Sequence, residues 1–308
     1  MMSLATEIKN ILAEYKIRPN KFRGQNFLIN EKIIEKIIAE ADLNSNDVVL
    51  EIGPGFGFLT RALAEKVKQV VAVELDNDLF SICQKLCRGH ENIKFIQGDI
   101  LKVDLNEILG SSIHHYKLVA NIPYQITGLI LRRFFSKSFL PQLAVLMTQK
   151  EVAERITRKN NKGSILSNVI EFYGEPKFIS KVLPGNFIPS PKVDSAIIKI
   201  LSRKILPNLI DEKRFFALIK TGFSSPRKFL LNNLIVSGII GSEEVKQKSA
   251  FDLTPSEPIS RSIITAENKD ERRAVWEKVF EEIKIDKQIR AEDLSLSDWL
   301  KIYSKINF

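Results

Sequence analysis

The chain has 308 residues, 44% hydrophobic and 27% charged, proportions that suit a soluble protein with one full core and a smaller second domain, long enough to bury an enzyme site. Lys and Arg number 46 against 37 Asp and Glu, a formal net charge of +9, the excess expected of a protein that meets polyphosphate, although charge alone does not prove such binding. Two cysteines, no apolar run of membrane-spanning length and no basic-then-apolar leader in residues 1–10 argue against a disulfide framework and a membrane span, and predict a cytoplasmic protein.

Residues 31–41 carry Ile33, Ile34, Ile37 and Ile38 at helical spacing and predict a helix packed over the entrance to a sheet. From Val48 to Gln149 short apolar runs (48–52, 70–73, 93–96, 118–120 and 143–147) alternate with helix-like segments such as 59–66, 79–86 and 129–135. That alternation predicts a mostly parallel sheet wrapped by helices, with ligands bound beyond the carboxyl ends of its strands. Cys83 and Cys87 fall in one of those helices; their spacing could seat two metal ligands, but His90, His114 and His115 complete no metal site. Pro184, Pro189 and Pro191 punctuate a loop before another strand at 196–201. Beyond about Pro207 the pattern is helical, clearest at 214–223, 228–236, 272–283 and 296–306, while the polar, proline-containing stretch 241–270 predicts a long insertion or linker.

Chemistry-bearing residues gather at the strand ends. Glu51-Ile52-Gly53-Pro54-Gly55-Phe56-Gly57 follows the first strand. Its G-x-G-x-G spacing lets the backbone turn tightly beside a ligand, and it differs from the G-x-G-x-x-G of dinucleotide binders, which favours a mononucleoside cofactor over a nicotinamide one. Glu74 closes the second strand, where a carboxylate can accept both hydroxyl hydrogens of a ribose. Gly98-Asp99 closes the third, with room for a flat base and an acceptor for its amino group; alone, Asp99 would be read as a turn or helix cap. Asn121-Ile122-Pro123-Tyr124 closes the fourth. There the Asn121 side-chain oxygen and the Ile122 or Pro123 carbonyl are available to accept the two N–H bonds of an exocyclic amine, and Tyr124 offers a stacking face. Drawn toward tetrahedral geometry, such a nitrogen becomes nucleophilic. Four residues alone favour a plain strand ending in a proline turn, so the conjunction of four strand ends carries the weight.

That conjunction resembles the class I S-adenosylmethionine-dependent methyltransferases and, within them, the bacterial ribosomal RNA adenine dimethylases. The resemblance extends from Gly24-Gln25-Asn26-Phe27-Leu28 through the strand ends to the Phe187–Ser195 segment FIPSPKVDS, then Arg227-Lys228 with Asn232-Asn233-Leu234, and finally Arg290-Ala291-Glu292-Asp293-Leu294-Ser295. It implies an α/β, Rossmann-like catalytic domain with a mostly parallel seven-stranded sheet over residues 1–206, and a smaller all-α domain over 207–308. S-adenosylmethionine would lie against Asn26, Leu28, Gly53, Gly55, Glu74 with Leu75, Asp99, Ile100 and Asn121. Asn121 and Pro123 would meet the target, with Tyr124 and, from an exposed proline-stiffened loop, Phe187 sandwiching the flipped adenine. Two adjacent adenosines in the 3′-terminal hairpin loop of 16S rRNA, within the 30S subunit or its precursor, would each receive two methyl groups. The enzyme would act as a monomer without metal. Basic residues in three groups would hold the RNA: Lys9, Lys16, Arg18, Lys21 and Arg23; Arg158, Lys159 and Lys162; and Arg227 with Lys228 at the start of a helix. The chain departs from the family pattern at Pro226-Arg227-Lys228, where a second arginine is expected, at Lys21-Phe22-Arg23, and in the length of 241–270.

Competing expectations are a methyltransferase of large-subunit rRNA of the erythromycin-resistance type, a DNA amino-methyltransferase, and an assembly factor whose binding matters more than its methylation. Pro54 and the Phe187–Ser195 segment favour the small-subunit enzyme over the first.

Overall fold

A computed structural model of the chain describes residues 3–20, 23–203, 210–237 and 268–306. In chain order its strands are β1 (Phe27–Leu28), β2 (Val48–Ile52), β3 (Gln69–Glu74), β4 (Ile93–Gln97), β5 (Tyr116–Asn121), β6 (Leu143–Gln149), β7 (Gly174–Val182), β8 (Phe187–Ile188) and β9 (Ser195–Ser202). Seven of them form one sheet in the order β4-β3-β2-β5-β6-β9-β7, and β1 pairs with β8 alone. The five strands from β4 to β6 run parallel, and β9 lies antiparallel between β6 and β7. Every residue of β2 is buried, as its unbroken apolar run with a single carboxylate requires of a strand covered on both faces.

The order of strands creates the site. From β2 the chain moves outward to β3 and β4, then returns to lay β5 on the other side of β2. In an open α/β sheet this reversal opens a crevice beyond the strand ends. Ile52 faces Val73 of β3 and Ala120 of β5 in register, so the turns after β2, β3 and β5 begin at the same level. The helix Glu31–Glu40 buries Ile34 and Ile37 in the core, as its isoleucine spacing predicts, and a helix at Leu4–Glu14 adds Leu4, Ile8 and Ile11 to the same cluster.

β7 is the strand that periodicity did not announce. Glu175, Pro176, Lys177 and Lys181 interrupt its apolar pattern, and a bulge lies between Phe178 and Ser180. These are the marks of an edge strand, where a proline forfeits no ladder hydrogen bond.

The chain divides into two compact units, Met1–Thr157 with Tyr173–Arg203, and Arg158–Phe172 with Lys204–Phe308. A single break at 206 therefore misses an excursion: the segment Arg158–Phe172 leaves the sheet-bearing unit and joins the C-terminal helices. Aromatic packing holds it there, with the Phe172 ring 5.2 Å from Phe215 and 5.1 Å from Phe216. The described helices of this unit include Glu212–Gly222, Leu230–Ser237, Lys269–Glu282 and Leu296–Lys305, around fully buried Trp276, Phe280 and Trp299. Of the stretch 241–270, residues up to 267 lie outside the described residues. Its last three belong to an ordinary helix start, with Asn268 capping Lys269–Glu282 by accepting from the Asp270 and Glu271 amides. No helix among the described residues is long and apolar enough to cross a membrane.

Candidate active site

The glycine turn is shaped by main chain. The Gly53 N–H donates to the Val73 carbonyl at 2.9 Å, and Gly53 has φ +68° with open space where a Cβ would project. Gly57 has φ +80°, and a Cβ there would strike the Cys87 sulfur. Both conformations are accessible to glycine at little steric cost. Cys83 and Cys87 are buried free thiols packed beneath this turn. Among the described residues no group of three His, Cys, Asp or Glu side chains could hold a metal ion.

Carboxylates project from the same strand ends. Glu74 is buried; its Oε2 accepts from the Gly55 N–H at 3.2 Å and its Oε1 from the Asp76 N–H at 3.0 Å. Burial pushes its carboxyl above the ordinary range, against the pull of those amides. Leu75 beside it is exposed. Asp99 Oδ1 caps its own turn by accepting from the Leu101 N–H at 2.9 Å, which leaves Oδ2 for a ligand. Glu51 is the group that motif reasoning passed over. It is 1% exposed inside β2, its Oε2 has no hydrogen-bond partner among the described residues, and burial pushes its pKa up to about 8. The signal was present in the sequence, since a lone acid in the run Val48-Val49-Leu50-Glu51-Ile52 has no reason to be there unless something polar meets it.

At the end of β5 the Asn121 Nδ2 donates to the Asn26 carbonyl at 3.3 Å. This fixes the amide and leaves its Oδ1 without a partner among the described residues. Asn26 is held in turn by its own Nδ2, which donates to the Gly24 carbonyl at 3.1 Å. The structure also separates the two carbonyls that sequence left open. Pro123 O accepts from the Ile126 N–H at 3.2 Å and the Thr127 hydroxyl at 3.4 Å, so both its lone pairs are used in closing the turn. The Ile122 carbonyl accepts none of the described hydrogen bonds. Pro123 is thus corrected from acceptor to turn-former. Tyr124 is half-buried, its hydroxyl 2.5 Å from Ser195 Oγ.

One cavity of about 310 Å³ joins these parts. Asn26, Leu28, Gly53, Gly55, Glu51, Glu74, Leu75, Asp99, Ile100, Asn121, Ile122, Pro123 and Tyr124 all line it. The wall suits S-adenosylmethionine: Glu51 offers an ammonium its Oε2, which has no hydrogen-bond partner among the described residues, Glu74 offers acceptors to hydroxyls, and Gly53 leaves open space where any other residue would carry a side chain.

Other expected residues lie elsewhere. Phe187 is absent from the cavity wall; it is 2% exposed, belongs to the hydrophobic core and faces Leu28 across the β1–β8 pair. The expected exposed loop begins after it, because pairing with β1 draws β8 inward. Arg158 is not a free cation either. Its Nη1 donates to the Leu294 carbonyl and its Nη2 to Asn168 Oδ1, both at 2.8 Å, and its Nε lies 2.6 Å from Glu171 Oε1, all within the helical unit. Lys162 meets Glu292 at 3.3 Å and also Asp293, and the Gly163 N–H donates to the Glu292 carbonyl at 2.6 Å. The Arg290–Ser295 motif therefore receives the 158–163 turn. Arg23 pairs with Asp76 at 2.6 Å on the rim of the cavity, whereas Lys21 lies outside the described residues. Lys159, Arg227 and Lys228 are exposed, the last two in the turn before the helix Leu230–Ser237 and not in its first turn. Asn233 is a buried brace whose Nδ2 donates to the Gly222 and Ser225 carbonyls at 2.6 and 3.2 Å.

Comparison with known proteins identifies the family. Residues 17–262 match the model of the family described as ribosomal RNA adenine dimethylase. The chain is 37% identical, over 97% of its length and 92% of the relative's, to a ribosomal RNA small subunit methyltransferase A of Dehalococcoides mccartyi. A protein of the same name from Clostridium botulinum is 39% identical over 82% of this chain and 92% of that one. Among solved structures, a dimethyladenosine transferase from Plasmodium falciparum superposes with a TM-score of 0.70 at 26% identity, covering 91% of this chain and 98% of that one. The 23S rRNA methyltransferase ErmE does so with 0.68 at 25%, covering 91% and 99%. Sequence and fold together establish that this chain belongs to the ribosomal RNA adenine dimethylase family and is an adenine dimethyltransferase.

Proposed function

We propose that the chain transfers methyl groups from S-adenosylmethionine to N6 of two adjacent adenosines in the 3′-terminal hairpin loop of 16S rRNA, twice at each, in the 30S subunit or its precursor. The observation that carries the chemistry is the shared cavity: Asn121 and Ile122 line the same space as the glycine turn, Glu51 and Glu74. The names of the relatives support the small-subunit target.

S-adenosylmethionine, when bound, supplies a methyl group made electrophilic by its sulfonium. Glu51 holds the cofactor's amino group, Glu74 its ribose, and Asp99 with Ile100 its base. Asn121 Oδ1 and the Ile122 carbonyl accept the two N–H bonds of the target adenine, drawing the nitrogen lone pair out of the ring. As positive charge develops on that nitrogen, the same two oxygens stabilise it. Tyr124 supplies the stacking face for the flipped base. No strong base is required, because the ammonium formed is itself acidic. Exposed Lys159, Arg227 and Lys228 attract phosphate.

The test is to incubate the purified protein with labelled cofactor and, in parallel, under-methylated small subunits, large-subunit RNA and DNA, and to map the methylated nucleotides. Dimethyladenosine at two neighbouring positions of the small-subunit RNA is expected. Label confined to large-subunit RNA would assign the chain to the reaction named for ErmE, and label confined to DNA would refute an RNA target.

A further inference from the structure

Tyr124 is held at both ends, and the hold at its tip comes from a residue outside the cavity wall. At its base, the turn Tyr124–Ile126 has no side-chain cap. It is closed instead by the Pro123 carbonyl, and tied to β6 by the Thr127 hydroxyl, 2.9 Å from the buried Thr148 hydroxyl. At its tip, the phenol meets Ser195 Oγ at 2.5 Å. Ser195 is fully buried and opens β9, in register with Gln149 of β6 on one side and Val182 of β7 on the other. A hydroxyl on a strand paired along both edges is about as immobile an anchor as a sheet provides.

We propose that Ser195 is a positioning residue for methyl transfer, whose hydroxyl fixes the Tyr124 ring so that its face is already oriented when the target adenine enters. The inference rests on the stacking role given to Tyr124 above. A phenol free to swing about its two side-chain torsions would have to be immobilised by each arriving base, whereas a tethered one is pre-organised. Burial also pushes the Tyr124 phenol up, which keeps it neutral and able to share a proton with Ser195.

The tether matters most in the second transfer. An unmethylated amine offers two N–H bonds to Asn121 and Ile122, but the monomethylated amine offers one. With a single acceptor engaged, the orientation of the base depends more heavily on the stacking face.

The experiment compares Tyr124→Phe, Ser195→Ala and their combination on under-methylated small subunits, measuring kcat, KM for particle and cofactor, the ratio of mono- to dimethyladenosine, and Tm. Each single change is expected to slow the second transfer about three- to tenfold, the range for removing one hydrogen bond, and to accumulate monomethyladenosine with cofactor KM unchanged. The double variant should be no slower than either single one, because both changes break the same hydrogen bond. Wild-type product ratios in Tyr124→Phe, or multiplicative losses in the double variant, would overturn the proposal. Should Ser195→Ala fold poorly, Tyr124→Phe carries the test, since it leaves the sheet untouched. Tyr124→Leu separates this proposal from the reading beneath it. If Tyr124→Leu is inactive while Tyr124→Phe and Ser195→Ala behave as wild type, stacking stands and the tether falls; if Tyr124→Leu is fully active, stacking itself fails and the tether with it.

Discussion

On the glycine-turn side, the wall of the cavity is main chain and buried carboxylate: Gly53 and Gly55, with Glu51 and Glu74 beneath them. On the Asn121 side it is one amide at the end of β5, one free carbonyl and one ring: the amide is tied to Asn26, the turn is closed on the Pro123 carbonyl by Ile126 and Thr127, and the ring is tied to Ser195. The first side is continuous with the sheet, so a change there disturbs binding and stability together. The second is an appendage to the sheet, and a change there can alter the reaction while the fold remains. The two halves should therefore fail in different observables.

The sharpest division is expected from Asn121→Ala. Removing an acceptor that meets charge only as it develops should lower kcat by about 10²- to 10³-fold, while calorimetry shows cofactor affinity within about threefold of wild type. Equal losses in both would place Asn121 on the glycine-turn side and erase the distinction. Arg158→Ala, in the helical unit, calibrates stability against function. It removes the cation beside Glu171, whose side chain is 18% exposed, and two further hydrogen bonds. A loss of about 2–4 kcal/mol is expected, seen as a lower Tm, with RNA affinity of the folded protein unchanged. Arg227→Ala with Lys228→Ala should do the opposite, leaving Tm alone and flattening the dependence of RNA affinity on salt. A flattened salt slope in Arg158→Ala without a change in Tm would return that residue to the phosphate-binding set.

What sequence alone revealed of the site follows the same division. Strand ends made of Gly53, Glu74, Asp99 and Asn121 were legible because period and motif coincide there: apolar runs fix where each strand stops, and the residue type at the stop suggests its use. Phe187 was misread because a two-residue strand has no period, so nothing in Phe187-Ile188 announces pairing with Phe27-Leu28. Arg158 was misread because a cation's burial depends on partners far along the chain, here Leu294 and Glu171. The choice between Ile122 and Pro123 was out of reach, since residue type does not show which carbonyl closes a turn. Glu51 could have been found by asking what an acid does inside an apolar strand.

Glu74→Gln probes the glycine-turn side with little change in shape. The variant keeps one acceptor oxygen but loses the carboxylate that receives both the Gly55 and Asp76 amides. Cofactor KM should rise about tenfold, in line with a hydrogen bond to a charged group, with kcat within about threefold of wild type. A drop in kcat without a change in KM would mean that Glu74 acts on the acceptor and not on the cofactor.

Glu51→Gln gives the smallest effect and tests the buried carboxylate directly. In the folded protein the Glu51 pKa lies at about 8, against 4.5 for an ordinary glutamate. Between those limits the folded chain retains a proton that the unfolded chain has released. Stability must then decline as pH rises through the window, because the unfolded state binds fewer protons. Glu74, raised by burial as well, contributes in the same direction. Glu51→Gln removes one of the two contributions, so Tm plotted from about pH 4.5 to about 8 should fall less steeply than in wild type, with the variant gaining relative stability toward the alkaline end. A cationic amino group brought against Glu51 by the cofactor favours the ionised carboxylate. Saturating cofactor should therefore flatten the wild-type slope and release protons, measurable by calorimetry in buffers of different ionisation enthalpy, and Glu51→Gln should release fewer. Equal proton release from the two proteins would remove Glu51 from the cofactor's surroundings and leave the glycine-turn side with Glu74 as its sole acting carboxylate.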